Sequence, residues 1–178
     1  MTITLKNSNY EVVISTHGAE INSFRSVKDG TKYVFEGPEE VWKFHAPVLF
    51  PHVGRIKDGF YTYGDKEYHL VNNGMSRDME HKIIEQSETS ATFELTENAE
   101  TADKFPWKFS LKTHYELKEN GLIFTTTVTN TDSTPMLFSV GSHTAFCCPR
   151  NTDPKGTTNA DYQYEFEQRE PLTTVCLN

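Results

Sequence analysis

Cysteine is scarce in this chain: three in 178 residues, with Cys147 and Cys148 adjacent and Cys176 alone. That pattern is neither a disulfide framework nor a C-x-x-C metal or redox spacing, and all three are read as reduced, mostly packed thiols. Histidine occurs seven times, at 17, 45, 52, 69, 81, 114 and 143, yet no H-x-H or H-E-x-x-H pair is formed. A zinc site needs such close pairs to fix its geometry, so no metal is expected. Hydrophobic runs are short. No window approaches the roughly 20 apolar residues that cross a bilayer, so no membrane partner is expected. Met1-Thr2-Ile3-Thr4-Leu5-Lys6 has no basic start, long apolar core or small-residue cleavage site, which places the chain by expectation in the cytoplasm. Positive charge is the minority sign, 17 Lys and Arg against 25 Asp and Glu, for a net charge of -8. Nucleic-acid binding starts from a basic patch, so a phosphate backbone is a poor partner and a small molecule a better one. The G-x-S-x-G elbow, the P-loop and the G-x-G-x-x-G fingerprint are missing too. With them go the usual signatures of acyl hydrolysis, phosphoryl transfer and dinucleotide binding.

Aromatic residues are present in quantity, with 12 Phe and 8 Tyr. At this length a chain suits one domain, here 1–178, burying about 70% of the surface its unfolded form exposes. The dominant period is two. Trp107, Phe109, Leu111, Thr113, Tyr115 and Leu117 alternate with Lys108, Ser110, Lys112, His114, Glu116 and Lys118, a long strand with one buried side. Asn120-Gly121 follows as a tight-turn signal, and Leu122 to Asn130 resumes the β pattern, which predicts an antiparallel hairpin. Phe60–Tyr63 and Lys66–Leu70 flank Gly64-Asp65 in the same way. Further strands are expected over Ile3–Asn7, Tyr10–Ser15, Ala19–Arg25, Lys32–Phe35, His81–Gln86, Ala91–Thr96, Met136–Val140, Tyr162–Glu167 and Thr173–Leu177. Helical signals are few: one or two turns at Glu39–Lys43 after Pro38, and Ala99–Phe105 closed by Pro106. Asn151 to Asn159 is rich in turn formers and reads as a surface loop. Strands at this density argue for an all-β sandwich.

Two polar clusters interrupt the apolar pattern. In Gly141-Ser142-His143-Thr144-Ala145-Phe146 a histidine lies between small residues just after a β-run, where its ring could face a concave sheet surface. A packed structural histidine is the competing reading. In Leu49-Phe50-Pro51-His52-Val53-Gly54-Arg55 a glycine lets the backbone turn and Arg55 project. Its guanidinium suits sugar hydroxyls, a carboxylate or a phosphate, with a partly buried salt bridge as the alternative. Arg77 has a trivial charge partner in its neighbour Asp78. His69 and His114 fall on polar strand faces and read as exposed, Trp42 and Trp107 read as core, and no carboxylate stands out as buried.

Four ordered segments resemble the aldose 1-epimerase (galactose mutarotase) superfamily, in particular a bacterial branch of it, over nearly the whole chain. Gly18-Ala19-Glu20-Ile21-Asn22-Ser23 is similar to the family's G-x-x-[IL]-x-S. Pro47 to Arg55 matches P-[IV]-L-F-P-x-x-G-R, Asn73-Gly74-Met75-Ser76-Arg77 resembles H-G-F-x-R, and Gly141 to Phe146 is similar to G-x-H-P-A-F. The resemblance implies an antiparallel β-supersandwich whose concave face binds an aldohexose, free or phosphorylated. It implies anomer interconversion by ring opening, in which a carboxylate base and a histidine acid share the proton transfers, with no metal or organic cofactor. By motif position His143 is the acid, and Arg55, Asn73 and Arg77 are substrate-binding residues. Asn73 replaces the family's histidine and hydrogen-bonds without delivering a proton. The family's glutamate base would fall beyond Asn178. The chain is therefore expected to be C-terminally truncated, either a mutarotase or a carbohydrate-binding remnant. An open sheet edge would then remain for a second copy to cover.

Overall fold

The structure is a computed structural model that describes residues 1–165 and 167–169. At the N-terminus β1 (Thr2–Lys6), β2 (Tyr10–Ser15) and β3 (Ile21–Ser26) form an antiparallel sheet in that order. Alternation decides its buried face: Ile3, Leu5, Val12 and Ile14 point inward. The chain then passes through β4 (Val48–Leu49) and the hairpin of β5 (Phe60–Tyr63) and β6 (Lys66–His69), which turns at Gly64-Asp65 as expected.

The second main sheet contains β7 (Lys82–Gln86), β8 (Ser90–Thr96), β9 (Phe109–Lys118) and β10 (Gly121–Asn130), with spatial order β10-β9-β8-β7. Between β8 and β9 lies the single helical turn α1 (Ala99–Ala102). It starts on a capping box, in which Asn98 Oδ1 accepts from Thr101 N at 3.0 Å and Thr101 Oγ1 from Asn98 N at 2.8 Å. Finally β11 (Gly141–Ser142) pairs antiparallel with β4.

Two cores hold these sheets. In one, the inner faces of β1–β3 meet Ala91, Phe93, Tyr115 and Leu117 of β8 and β9. Tyr115 ties them further, its hydroxyl donating to the Ala19 carbonyl at 2.6 Å. In the other, Phe50 packs on Phe105 and Phe109 among Met75, Met79, Leu95 and Trp107.

Several expectations need correction. The β9–β10 turn falls on Glu119-Asn120, one residue before Asn120-Gly121, because Gly121 already pairs with Lys118. Met136–Val140 forms no strand; of its amides, Ser139 N–H donates to the Pro51 carbonyl at 2.9 Å. Lys32–Phe35 forms only isolated bridges at Lys32 and Val34, and Tyr162–Glu165 is irregular. Glu39–Lys43 is a turn closed by Val41 N–H and Trp42 N–H on the Pro38 carbonyl rather than a helix. Thr173–Leu177 and Cys176 lie outside the described residues. Cys147 is half-buried and burial raises its thiol pKa, whereas Cys148 is exposed rather than packed. Trp107 is core, but Trp42 is only half-buried. His114 is half-buried too, its Nδ1 2.8 Å from Thr92 Oγ1. No helix among the described residues is long and apolar enough to cross a membrane.

Candidate functional site

The segment 45–50 is the spine of the site, with a different motif on each side. Along one edge Gly141 pairs with Leu49 and Ser142 with Val48, His143 N–H donates to the Pro47 carbonyl at 3.1 Å, and Ala145 N–H to the His45 carbonyl at 2.9 Å. On the other side the Phe50 carbonyl accepts from Met75 N–H at 2.8 Å and Ser76 N–H at 3.1 Å, forming a parallel bridge with Gly74. Gly74 sits at φ +75, and a Cβ there would overlap the Phe50 carbonyl, so both the conformation and the close approach require glycine. Gly18 N–H donates to the Met79 carbonyl at 2.8 Å, and a Cβ on Gly18 would come within 2.8 Å of the Arg77 carbonyl. Buried Glu20, missed in the sequence because strand alternation hides which carboxylate turns inward, anchors the same spine. Its Oε1 accepts from His45 N–H at 2.6 Å and Ala46 N–H at 2.8 Å. Four segments separated by up to 120 residues are thereby laid side by side by backbone hydrogen bonds.

The loop that carries Arg55 is stapled twice. Gly54 N–H donates to Asn73 Oδ1 at 2.8 Å, and Asn73 N–H returns to the Gly54 carbonyl at 2.8 Å. Val53 N–H donates to Ser139 Oγ at 3.0 Å. Asn73 holds this reciprocal bond at φ +65, a conformation asparagine tolerates better than most residues. Its Oδ1 is thus committed to the loop, and its amide nitrogen remains as a donor. Arg55 itself is exposed and forms no ion pair among the described residues, so the partly buried salt bridge weighed for it is not present.

His143 is exposed and lies against Trp42, with ring centroids 5.1 Å apart, so it is not the packed histidine of the competing reading. Trp42 leads to Phe44 at 6.0 Å, and Phe44 carries the Arg77 guanidinium 4.4 Å from its centroid on one side and Lys43 Nζ at 4.7 Å. The Arg77 side chain is 15% exposed and its Nε lies 3.4 Å from Asp78 Oδ2, the neighbouring partner expected for it. The structure thus joins Asn73 to the base of Arg55 and, through Trp42 and Phe44, His143 to Arg77.

Trp42, Phe44 and His52 are members that pattern reading overlooked. Trp42 and Phe44 follow a turn with no period to mark a face, and His52 sits inside a run that otherwise reads as core. Burial lowers the His52 pKa, the Gly54 backbone partly offsets that, and the positive charge of Arg77 lowers it further. His52 is therefore neutral at pH 7. Among the described residues no three His, Cys, Asp or Glu side chains gather as a metal site would require. Exposed cations, a neutral imidazole, an amide donor and an aromatic face together suit a polyhydroxylated ring: hydroxyl oxygens for the donors, C–H faces for the indole.

This fold and this site define an all-β, antiparallel protein of the galactose mutarotase type. An aldose 1-epimerase family model matches residues 1–177, and the chain belongs to that family. The protein LacX of Lactococcus lactis subsp. lactis, plasmid form, is 32% identical over 176 residues, covering 96% of this chain and 58% of that protein. The crystal structure of a galactose mutarotase related enzyme from Lactobacillus acidophilus superposes with a TM-score of 0.83 at 38% identity, over 87% of this chain and 52% of that one. A galactose mutarotase-like protein from Lactobacillus casei gives 0.79, also at 38% identity, over 82% of this chain and 50% of that one. The chain spans between half and three fifths of the length of these relatives.

Proposed function

We propose that this chain binds an aldohexose against the Trp42–His143 pair and interconverts its α and β anomers. The convergence of all four family-like segments on the 45–50 spine carries this reading. Arg55 and Arg77 hold sugar oxygens, Asn73 donates through its amide nitrogen, and His143 gives a proton to the ring oxygen as the C1–O5 bond breaks. The anomeric hydroxyl loses its proton and becomes the aldehyde oxygen; rotation and reclosure, with the protons returned, yield the other anomer. The same arginines would accept a phosphorylated hexose, since a guanidinium forks onto phosphate as readily as onto hydroxyls.

One observation favours a second reading, a protein that binds sugar without turnover. Among the described residues no carboxylate hydrogen-bonds or ion-pairs with His143, so the base that the reaction needs is not in contact with the acid. A positioned proton-transfer group contributes roughly 10²- to 10⁴-fold in rate. Polarimetry of fresh α-galactose and α-glucose separates the readings. Turnover predicts relaxation faster than buffer, slowed at least about 100-fold by His143→Asn. Binding alone predicts saturable, sugar-dependent shifts of the Trp42 indole NMR signal at an unchanged buffer rate. If neither the rate nor that signal responds to sugar, both readings fall.

A further inference from the structure

A cavity of about 300 Å³ opens beside the Pro51–Arg55 loop, and none of Arg55, Asn73, Arg77 and His143 lines it. Its walls are aromatic: Tyr61, Tyr63, Phe105, Trp107 and Phe138, with Leu137 and Phe138 exposed at the rim. Tyr63 stands over Trp107 at 4.4 Å and Phe105 flanks it at 4.9 Å, so flat faces meet at the cavity wall. No Asp, Glu, Lys or Arg contributes to the lining, which rules against a charged ligand.

The polar groups of the wall narrow the ligand further. Tyr61 has spent its hydroxyl proton on the Lys104 carbonyl at 2.9 Å. Trp107, only 4% exposed, keeps a buried indole N–H with no acceptor among the described residues. His52 lines the same cavity, and neither of its ring nitrogens reaches a hydrogen-bond partner among the described residues. Buried donors are rarely left unmatched, so an acceptor supplied from outside the chain accounts for Trp107. A pyranose brings more hydroxyls than this wall can satisfy, whereas an aromatic ring with one oxygen needs few partners and matches the ring-lined walls. The volume suffices: an apolar cavity of about 150 Å³ holds benzene.

We propose that this cavity is a second binding site, separate from the sugar site, for a neutral monocyclic aromatic molecule bearing a phenol-type oxygen that accepts from the Trp107 indole N–H. The chain carries its own pair of reporters, since Trp107 lines the cavity and Trp42 faces His143.

Titration of the full chain with p-cresol, followed by the two indole N–H signals in ¹H–¹⁵N NMR, tests the assignment. The expected result is a saturable shift of the Trp107 signal with the Trp42 signal unmoved, and no displacement by excess galactose. Toluene, which lacks the oxygen, should bind about 10-fold more weakly. Trp107→Phe should bring p-cresol down to the affinity of toluene. No shift of Trp107 up to the solubility limit, or displacement by galactose, overturns the site. Equal binding of toluene and p-cresol to the unmodified chain overturns the hydrogen bond, and that comparison does not depend on the variant folding.

Discussion

His81 is the histidine most completely removed from water, at 3% exposure, and the fold keeps it neutral. Its Nε2–H donates to the Ser76 carbonyl at 3.1 Å, and burial pushes its pKa down from 6.5 to about 4 despite the opposing pull of Glu80. The unfolded chain therefore takes up a proton at this residue near pH 6.5 that the folded chain refuses until about pH 4. Stability from His81 is fully present above pH 6.5, falls through the window between the two values, and is level below it. The shift corresponds to about 3 kcal/mol. Urea unfolding at pH 7.5 and pH 4.5 should show the loss, and His81→Gln should remove most of the slope. His52, lowered in the same direction, supplies a residual slope in that variant. The carboxylates held low by hydrogen bonds and cations, such as Glu11 and Asp132, add their own losses only as pH falls below ordinary carboxylate values. An unchanged slope in His81→Gln would mean the imidazole is not kept neutral.

At the scale of elements, what mattered was where backbone hydrogen bonds could be closed. Strict alternation over 107–118 marked β9 and its buried face, because a half-buried strand writes its two environments into the sequence one residue at a time. The same reasoning over Met136–Val140 produced a strand that does not exist. Leu137 and Phe138 are apolar enough, but a strand needs a neighbour with free N–H and C=O groups, and that depends on chain segments far away. The site was legible in part for a similar reason. Arg55 and His143 stand beside glycines and read as interruptions of apolar runs, whereas the Asn73 bond to Gly54 spans 19 residues and leaves no local mark. Gly74 shows what such long-range contacts demand. Gly74→Ala meets both a φ of +75 and the Phe50 carbonyl, and should destabilise the fold by at least about 2 kcal/mol. Gly64→Ala, at φ +61 in the open β5–β6 turn, is the internal control and should cost about 1 kcal/mol. Thermal unfolding would place the first at least about 4 °C below the parent and the second about 2–4 °C below. Equal shifts would remove the Phe50 overlap as the cause.

At the scale of the whole molecule, the apolar surface is unevenly distributed. Phe146 is 52% exposed and Tyr164 74%, with ring centroids 6.2 Å apart. Phe146 lines one cavity with Leu122 and Phe124 of β10 and a second with Phe24, Tyr33 and Tyr164, so these residues make one continuous face. β10 closes that face as the end strand of its sheet, with Ile123 exposed on its other side. An apolar face bordered by an end strand favours association, because burying the aromatics and adding strand hydrogen bonds work together. The net charge of -8 opposes it, which makes association salt-dependent: higher ionic strength screens the repulsion and should tighten it. Sedimentation velocity of the chain is expected to show self-association that grows with protein concentration and with salt. Phe146→Lys puts a charge at the junction of both cavities and should return the chain to monomer. The variant should leave the β9–β10 hairpin intact, since Phe146 contributes no ladder bond to it. A parent chain that sediments as a monomer at every concentration and salt would show that this face is not held by a second copy.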